Sequence, residues 1–147
     1  MQFTFKFEDY FSGGKLVRRP VVELTLVSGS RRQKVFALLD SGADSFLMPR
    51  SLAELLGLEF YGKAKVINGL GGQVLSQEST IDVEVSNGSS KALVKSVPVT
   101  VPLADFKRST ILAGRAVFFD YFDLCFRQAD NQVTLSERGF PRDYANV

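Results

Sequence analysis

Phe36-Ala37-Leu38-Leu39-Asp40-Ser41-Gly42-Ala43-Asp44-Ser45 is the stretch on which the fold turns. Val35 to Leu39 is a solid apolar run, which reads as a strand buried on both faces. A carboxylate stands at its end. Burial raises the cost of ionising an aspartate, so an acid in this place is either paired or functional. Gly42 lets the backbone turn sharply and lets a ligand approach closely. Ser41 offers a hydroxyl for holding the loop. Asp, Ser and Gly are also ordinary turn residues, so Asp40 capping a turn is the plain alternative. The letters Asp-Ser-Gly-x-x-Ser at 40–45 also spell a phosphodegron. Degrons need exposed, flexible chain, and the apolar run before Asp40 argues against one.

Outward from this loop the pattern is mostly β. Phe3, Phe5 and Phe7 alternate with polar residues, as a half-buried strand requires. A turn at Phe11 to Gly14 follows, and Val21 to Val27 reads as a strand after Pro20. Pro49 to Leu58 changes period: Leu52, Leu55 and Leu56 have helical spacing, Ser51 is placed to cap, and Gly57 to terminate. Ile81, Val83 and Val85 alternate, and Ser86-Asn87-Gly88-Ser89 is a hairpin turn. Leu93 to Val101 is a strand in which Pro98 favours an edge or a bulge. Leu103 to Thr110 is a polar loop, and Ile111-Leu112-Ala113 a short strand. A helix is expected over Arg115 to Tyr121. Leu124–Phe126 and Val133–Leu135 flank a turn at 129–131.

The sum is a mostly β chain with one or two short helices. Its 147 residues suit a single domain over 1–147, with an N-terminal extension hairpin at about 1–19 and a loose polar tail at 136–147.

The absences narrow the chemistry. With no His in the chain, Ser-His-Asp and Cys-His hydrolysis and His-ligated metal sites are all excluded. Cys125 is the single cysteine, within an apolar run, and reads as a buried small hydrophobe. A net charge of +2 gives no reason to expect a nucleic-acid or anionic-membrane partner. The basic cluster at 31–34 reads as a solvated turn. No apolar run approaches the roughly 18 residues of a membrane span. The N-terminal alternation lacks a signal-peptide core. A soluble, cytoplasmic protein is the expectation, without metal or organic cofactor.

Two further segments belong with the Asp40 loop. Val66-Ile67-Asn68-Gly69-Leu70-Gly71-Gly72-Gln73 is glycine-rich, but it fails the dinucleotide and P-loop patterns because Val74 holds the sixth position and no Lys-Ser/Thr follows. It is either a hairpin turn or a mobile tip. Ile111-Leu112-Ala113-Gly114-Arg115 is apolar and ends in Gly-Arg.

Together, in this order, these segments resemble the retropepsin-like (retroviral-type) aspartic proteases over roughly residues 21 to 135. That resemblance implies a closed acid-protease β-barrel. It implies that Asp40 is the catalytic carboxylate, that Ser41 locks two active-site loops together, and that Gly42 and Ala43 form the turn under the substrate. It implies that Gly69, Leu70, Gly71 and Gly72 tip a flap over an extended peptide, and that Asp44 helps to bind that peptide. Asp44 with Arg115, after Gly114, is implied to form a bidentate pair that fixes the loop. One Asp-Ser-Gly motif per chain implies a homodimer in which two Asp40 carboxylates share a proton and activate water, with an acidic to near-neutral pH bell. The family pattern often has Asn or Asp after the Arg, where Ala116 stands here. Retropepsin-like domains also serve as non-proteolytic dimerisation or peptide-binding modules, which is the alternative function.

Overall fold

The computed structural model describes residues 1–69, 72–105 and 111–138. In chain order its strands are β1 (Gln2–Lys6), β2 (Glu8–Ser12), β3 (Lys15–Arg19), β4 (Val21–Ser28), β5 (Arg31–Leu39) and β6 (Phe46–Leu47). Helix α1 (Arg50–Leu55) follows, then β7 (Tyr61–Gly69), β8 (Gly72–Ser86), β9 (Lys91–Pro102) and β10 (Ile111–Ala113). Helix α2 (Phe118–Tyr121), β11 (Phe122–Arg127) and β12 (Gln132–Glu137) complete it.

The main sheet runs β4-β5-β10-β6-β9-β8-β7, and β4 also pairs with β8. That extra pairing, Thr25↔Glu84 to Val27↔Asp82, closes six of the strands into a barrel and leaves β7 outside it. Closure removes the open edges that an antiparallel sheet otherwise exposes. The fold is a mostly β closed barrel with two short helices.

Barrel-facing positions alternate as a two-residue period demands. Val22, Leu24 and Leu26 of β4, Val35, Ala37 and Leu39 of β5, and Val97, Val99 and Val101 of β9 are all buried. The apolar run of β5 is nevertheless buried on one face only, because Phe36 is 57% exposed. An apolar run does not report its second face; here that face looks outward from a single-layer barrel wall. Pro98 sits inside the sheet, since β9 pairs with both β8 and β6. A register shift between Ile81 and Val83 accommodates the irregularity, and the carboxylate of Asp82 accepts the Ser96 N–H at 2.9 Å.

A second sheet of three strands, β1-β12-β11, holds both ends of the described chain together. Phe3 and Phe122 meet edge to face in it at 6.2 Å, and both are fully buried. The N-terminal segment therefore divides: Gln2–Lys6 pairs with β12, and only Glu8–Arg19 forms a hairpin of its own. Ser136 and Glu137 are paired residues of β12, and 139–147 lie outside the described residues. Cys125 is exposed, not buried, on the edge strand β11. Among the described residues no helix is long and apolar enough to cross a membrane.

Candidate active site

The site grows out of one topological fact. Strand β10 lies between β5 and β6, parallel to the first and antiparallel to the second. The loop 40–45 that joins β5 to β6 must therefore pass over the end of a strand that comes some seventy residues later. Asp40 leaves β5 with its N–H donated to the Ala113 carbonyl at 3.0 Å. On the other side, Leu39 N–H donates to the Pro20 carbonyl at 3.0 Å. The catalytic-candidate aspartate is thus fixed through its backbone by two neighbouring segments.

The loop then folds back on its own acid. Gly42 N–H donates to Asp40 Oδ1 at 2.9 Å, and Ala43 N–H to the Asp40 carbonyl at 3.2 Å. One carboxylate oxygen is held in place by the turn itself. Asp40 is half-buried in the single chain, while Ser41 and Gly42 are exposed beside it. The acid is thus at the margin of the surface, beside exposed neighbours, rather than in the interior that the apolar run suggested.

Beyond the turn, the loop is clamped to the segment after β10. Arg115 N–H donates to the Ala43 carbonyl at 2.9 Å and Ala116 N–H to the Asp44 carbonyl at 2.8 Å. Gly114 lies against the backbone of Ser45, and a Cβ there would overlap the Ser45 carbonyl. Ser45 in turn shares a hydrogen bond with Thr100 of β9 at 2.9 Å. The pairing of Ser45 with Thr100 could not be read from the sequence, because the two are 55 positions apart and leave no local pattern.

The Asp44–Arg115 pair is present but is not bidentate. Arg115 Nη2 donates to Asp44 Oδ1 at 2.7 Å, and the Asp44 side chain is 93% exposed. Solvent screens such a pair, so backbone hydrogen bonds and the Gly114 contact carry most of the clamp. Asp44, Arg115, Ala116, Phe119 and Asp120 line a recess of about 410 Å³ beside the loop.

The helix expected at Arg115 is delayed to Phe118. Val117 has φ 68° and ψ −50°, and Phe118 N–H donates to the Ala116 carbonyl at 2.8 Å. That is a γ-turn of the strained hand, carried by a β-branched residue. The Val117 N–H donates to Asp120 Oδ2 at 3.2 Å, which holds the turn. At the far end of α2, burial pushes the Tyr121 phenol above its usual range, and the charge and hydrogen bonding of Glu137 push it the same way.

The glycine-rich segment forms a hairpin of β7 and β8. Asn68 pairs with Gln73 and Gly69 with Gly72. Leu70 and Gly71 lie outside the described residues. Val66, Val74 and Leu75 are exposed along it, so the hairpin carries an unburied apolar surface.

A family model described as aspartyl protease matches residues 22–112. The chain belongs to the aspartyl protease family. The span matched to the family runs from β4 into β10 and contains the Asp40 loop and the β7–β8 hairpin. Among solved structures, it is similar to a retropepsin-like aspartic protease from Rickettsia conorii, with a TM-score of 0.57 and 14% identity over 92% of this chain and 90% of that one. At that identity the likeness is one of fold. An EIAV protease complexed with an inhibitor aligns with a TM-score of 0.47 and 17% identity, over 72% of this chain and 88% of that one. No curated protein matches the sequence.

Proposed function

We propose that the protein is an aspartic endopeptidase that works as a homodimer, with one Asp40 from each copy at a two-fold axis. The observation that carries this reading is the Asp40 loop. A carboxylate closes a barrel strand, one of its oxygens is held by the Gly42 N–H, and it lies half-buried beside the exposed Ser41 and Gly42, on a surface that a second copy would enclose. Each chain has one such loop, and water activation between carboxylates needs two.

Two carboxylates about 3 Å apart do not both ionise readily, so they share one proton. The ionised member takes a proton from water as general base. The protonated member donates a hydrogen bond to the scissile carbonyl. The attacking oxygen then forms the tetrahedral carbon, and proton return to the amide nitrogen releases the amine. Ser41 holds the two loops to each other, and Gly42 and Ala43 leave room for the peptide backbone. Asp44 and the hairpin around Gly69 to Gly72 bind an extended peptide by main-chain hydrogen bonds, the hairpin closing as a flap. Arg115 and Gly114 support the loop from below. No cofactor enters the scheme.

The test is a denatured peptide mixture digested from pH 4 to 7 by the wild type and by Asp40→Asn, with new termini read by mass spectrometry. Asn keeps the shape of the carboxylate but cannot serve as base. Cleavage confined to the wild type is the expected result. Equal and absent cleavage from two dimeric proteins would sink the enzyme reading and leave a peptide-binding dimer.

A further inference from the structure

The β2–β3 hairpin projects from the fold beyond its base, where Asp9 and Arg18 border a recess with Asp130 and Asn131. Its two strands pair with each other from Glu8↔Arg19 to Ser12↔Lys15, and Gly13 and Gly14, with φ of 59° and 78°, make the two-residue turn. None of its residues belongs to the core, and neither strand packs appreciably on another element among the described residues. An isolated two-stranded hairpin is marginal in water. This one also carries a cross-strand apolar pair at its outer end. Phe11 is opposite Leu16, and they are 83% and 52% exposed. An element with this composition is completed by something it packs against.

Its root says what that is. Arg19 leads directly into Pro20, whose carbonyl accepts the Leu39 N–H, and Leu39 is the residue before Asp40. The arm therefore starts beside the loop that the dimer reading puts at the two-fold axis. Five residues per strand at about 3.4 Å each give it a reach of roughly 17 Å. An arm of that length rooted next to the axis is long enough to reach a second subunit. Its charges are mixed, Glu8 and Asp9 against Lys15, Arg18 and Arg19, which fits neither an anionic membrane nor nucleic acid.

We propose that the β2–β3 hairpin is a dimerisation arm that packs its Phe11–Leu16 pair on a second copy of this chain. The proposal rests on the two-fold placement of the Asp40 loop. In a two-fold assembly each copy both gives and receives an arm, so the apolar pair is buried twice per dimer. That doubling makes a small patch matter.

The experiment is sedimentation equilibrium of the full chain across a concentration series. It compares wild type, Phe11→Ser/Leu16→Ser, and Leu93→Ser, which removes an exposed leucine on β9. Far-UV circular dichroism checks folding. Phe11→Lys is run beside the double variant, because a side chain so exposed changes without touching the core. The wild type is expected to dimerise, the two arm variants to raise the dimer Kd by roughly tenfold or more, and Leu93→Ser to leave it unchanged. Peptidase activity of the arm variants is expected to return as their concentration rises above the new Kd. An unchanged Kd, or a wild type that stays monomeric, overturns the proposal. So does a raised KM at unchanged Kd, which would make the arm a peptide contact. A wild type whose dimer depends on the arm but which cleaves nothing keeps the arm and removes the protease reading.

Discussion

Two glycines of the Asp40 site are required for different reasons, and substitution separates them. At Gly114 the nearest atoms are the carbonyl, carbon and nitrogen of Ser45, all backbone, so a methyl group has nowhere to go unless the loop lifts off β10. Gly114→Ala is expected to cost about 3 kcal/mol or more of stability, measured by chemical denaturation, because overpacking against backbone cannot be relieved by a rotamer change. At Gly42 the nearest atom is Asp40 Oδ1 at 3.2 Å, the end of a side chain. Gly42→Ala is expected to change stability by less than about 1 kcal/mol, since the carboxylate rotates away. Cleavage is expected to fall roughly 10- to 100-fold, since a small displacement of a reacting group costs that much. A Gly42→Ala protein with full activity would mean that the Gly42–Asp40 contact does not position the acid.

Helix α1 shows how an element too short to sustain itself is held from outside. Six residues form a marginal helix in isolation. Its N-cap is Pro49, which has no side-chain acceptor to offer. Ser51, at the position where capping is expected from sequence, lies inside the helix instead. Its N–H donates to the carboxylate of Asp105 at 3.1 Å. At the other end, Arg31 Nη1 of β5 donates to the Leu55 carbonyl at 3.0 Å, and Gly57 turns the chain away with φ 66°. Asp105→Ala is therefore expected to destabilise the protein by about 0.5–1 kcal/mol, as loss of a capping acceptor does, while Ser51→Ala is close to neutral in the same thermal or urea titration. The reverse order would return the cap to Ser51. The contrast marks what local sequence carries. Strands β4 and β5, the Asn87-Gly88 turn and the Asp-Ser-Gly loop are legible, because period and turn chemistry act between near neighbours. The Asp105 and Arg31 caps, the two-residue strand β6 and the Ser45–Thr100 bond join residues 24 to 55 positions apart or lack any period to read. Phe36 and Cys125 misled for a related reason: apolar character says that a residue tolerates burial, not that a neighbour is there to bury it.

At the scale of the whole molecule, the insertion of β10 between β5 and β6 ties the barrel to the site. It is the one long-range step that puts Ala113, Gly114 and Arg115 under the Asp40 loop. It also sets Asp40 half-buried beside the exposed Ser41 and Gly42, and on the proposed dimer reading the chain alone presents half of a two-carboxylate centre. If the centre is shared, activity must follow the statistics of pairing rather than the amount of active chain. Suppose Asp40→Asn chains are mixed with wild type and allowed to exchange subunits. An equal mixture puts about a quarter of all dimers in the doubly wild-type form, which halves the activity of a fixed amount of wild type. A threefold excess of the variant lowers it to about one quarter of the starting rate. The measurement is the initial cleavage rate of one peptide, at fixed wild-type concentration above the dimer Kd, against added variant. A curve that stays flat while the two chains demonstrably form mixed dimers would mean that each copy cleaves with its own Asp40 alone. The shared-proton chemistry would then have to give way to a one-carboxylate mechanism, although the fold and the family would stand.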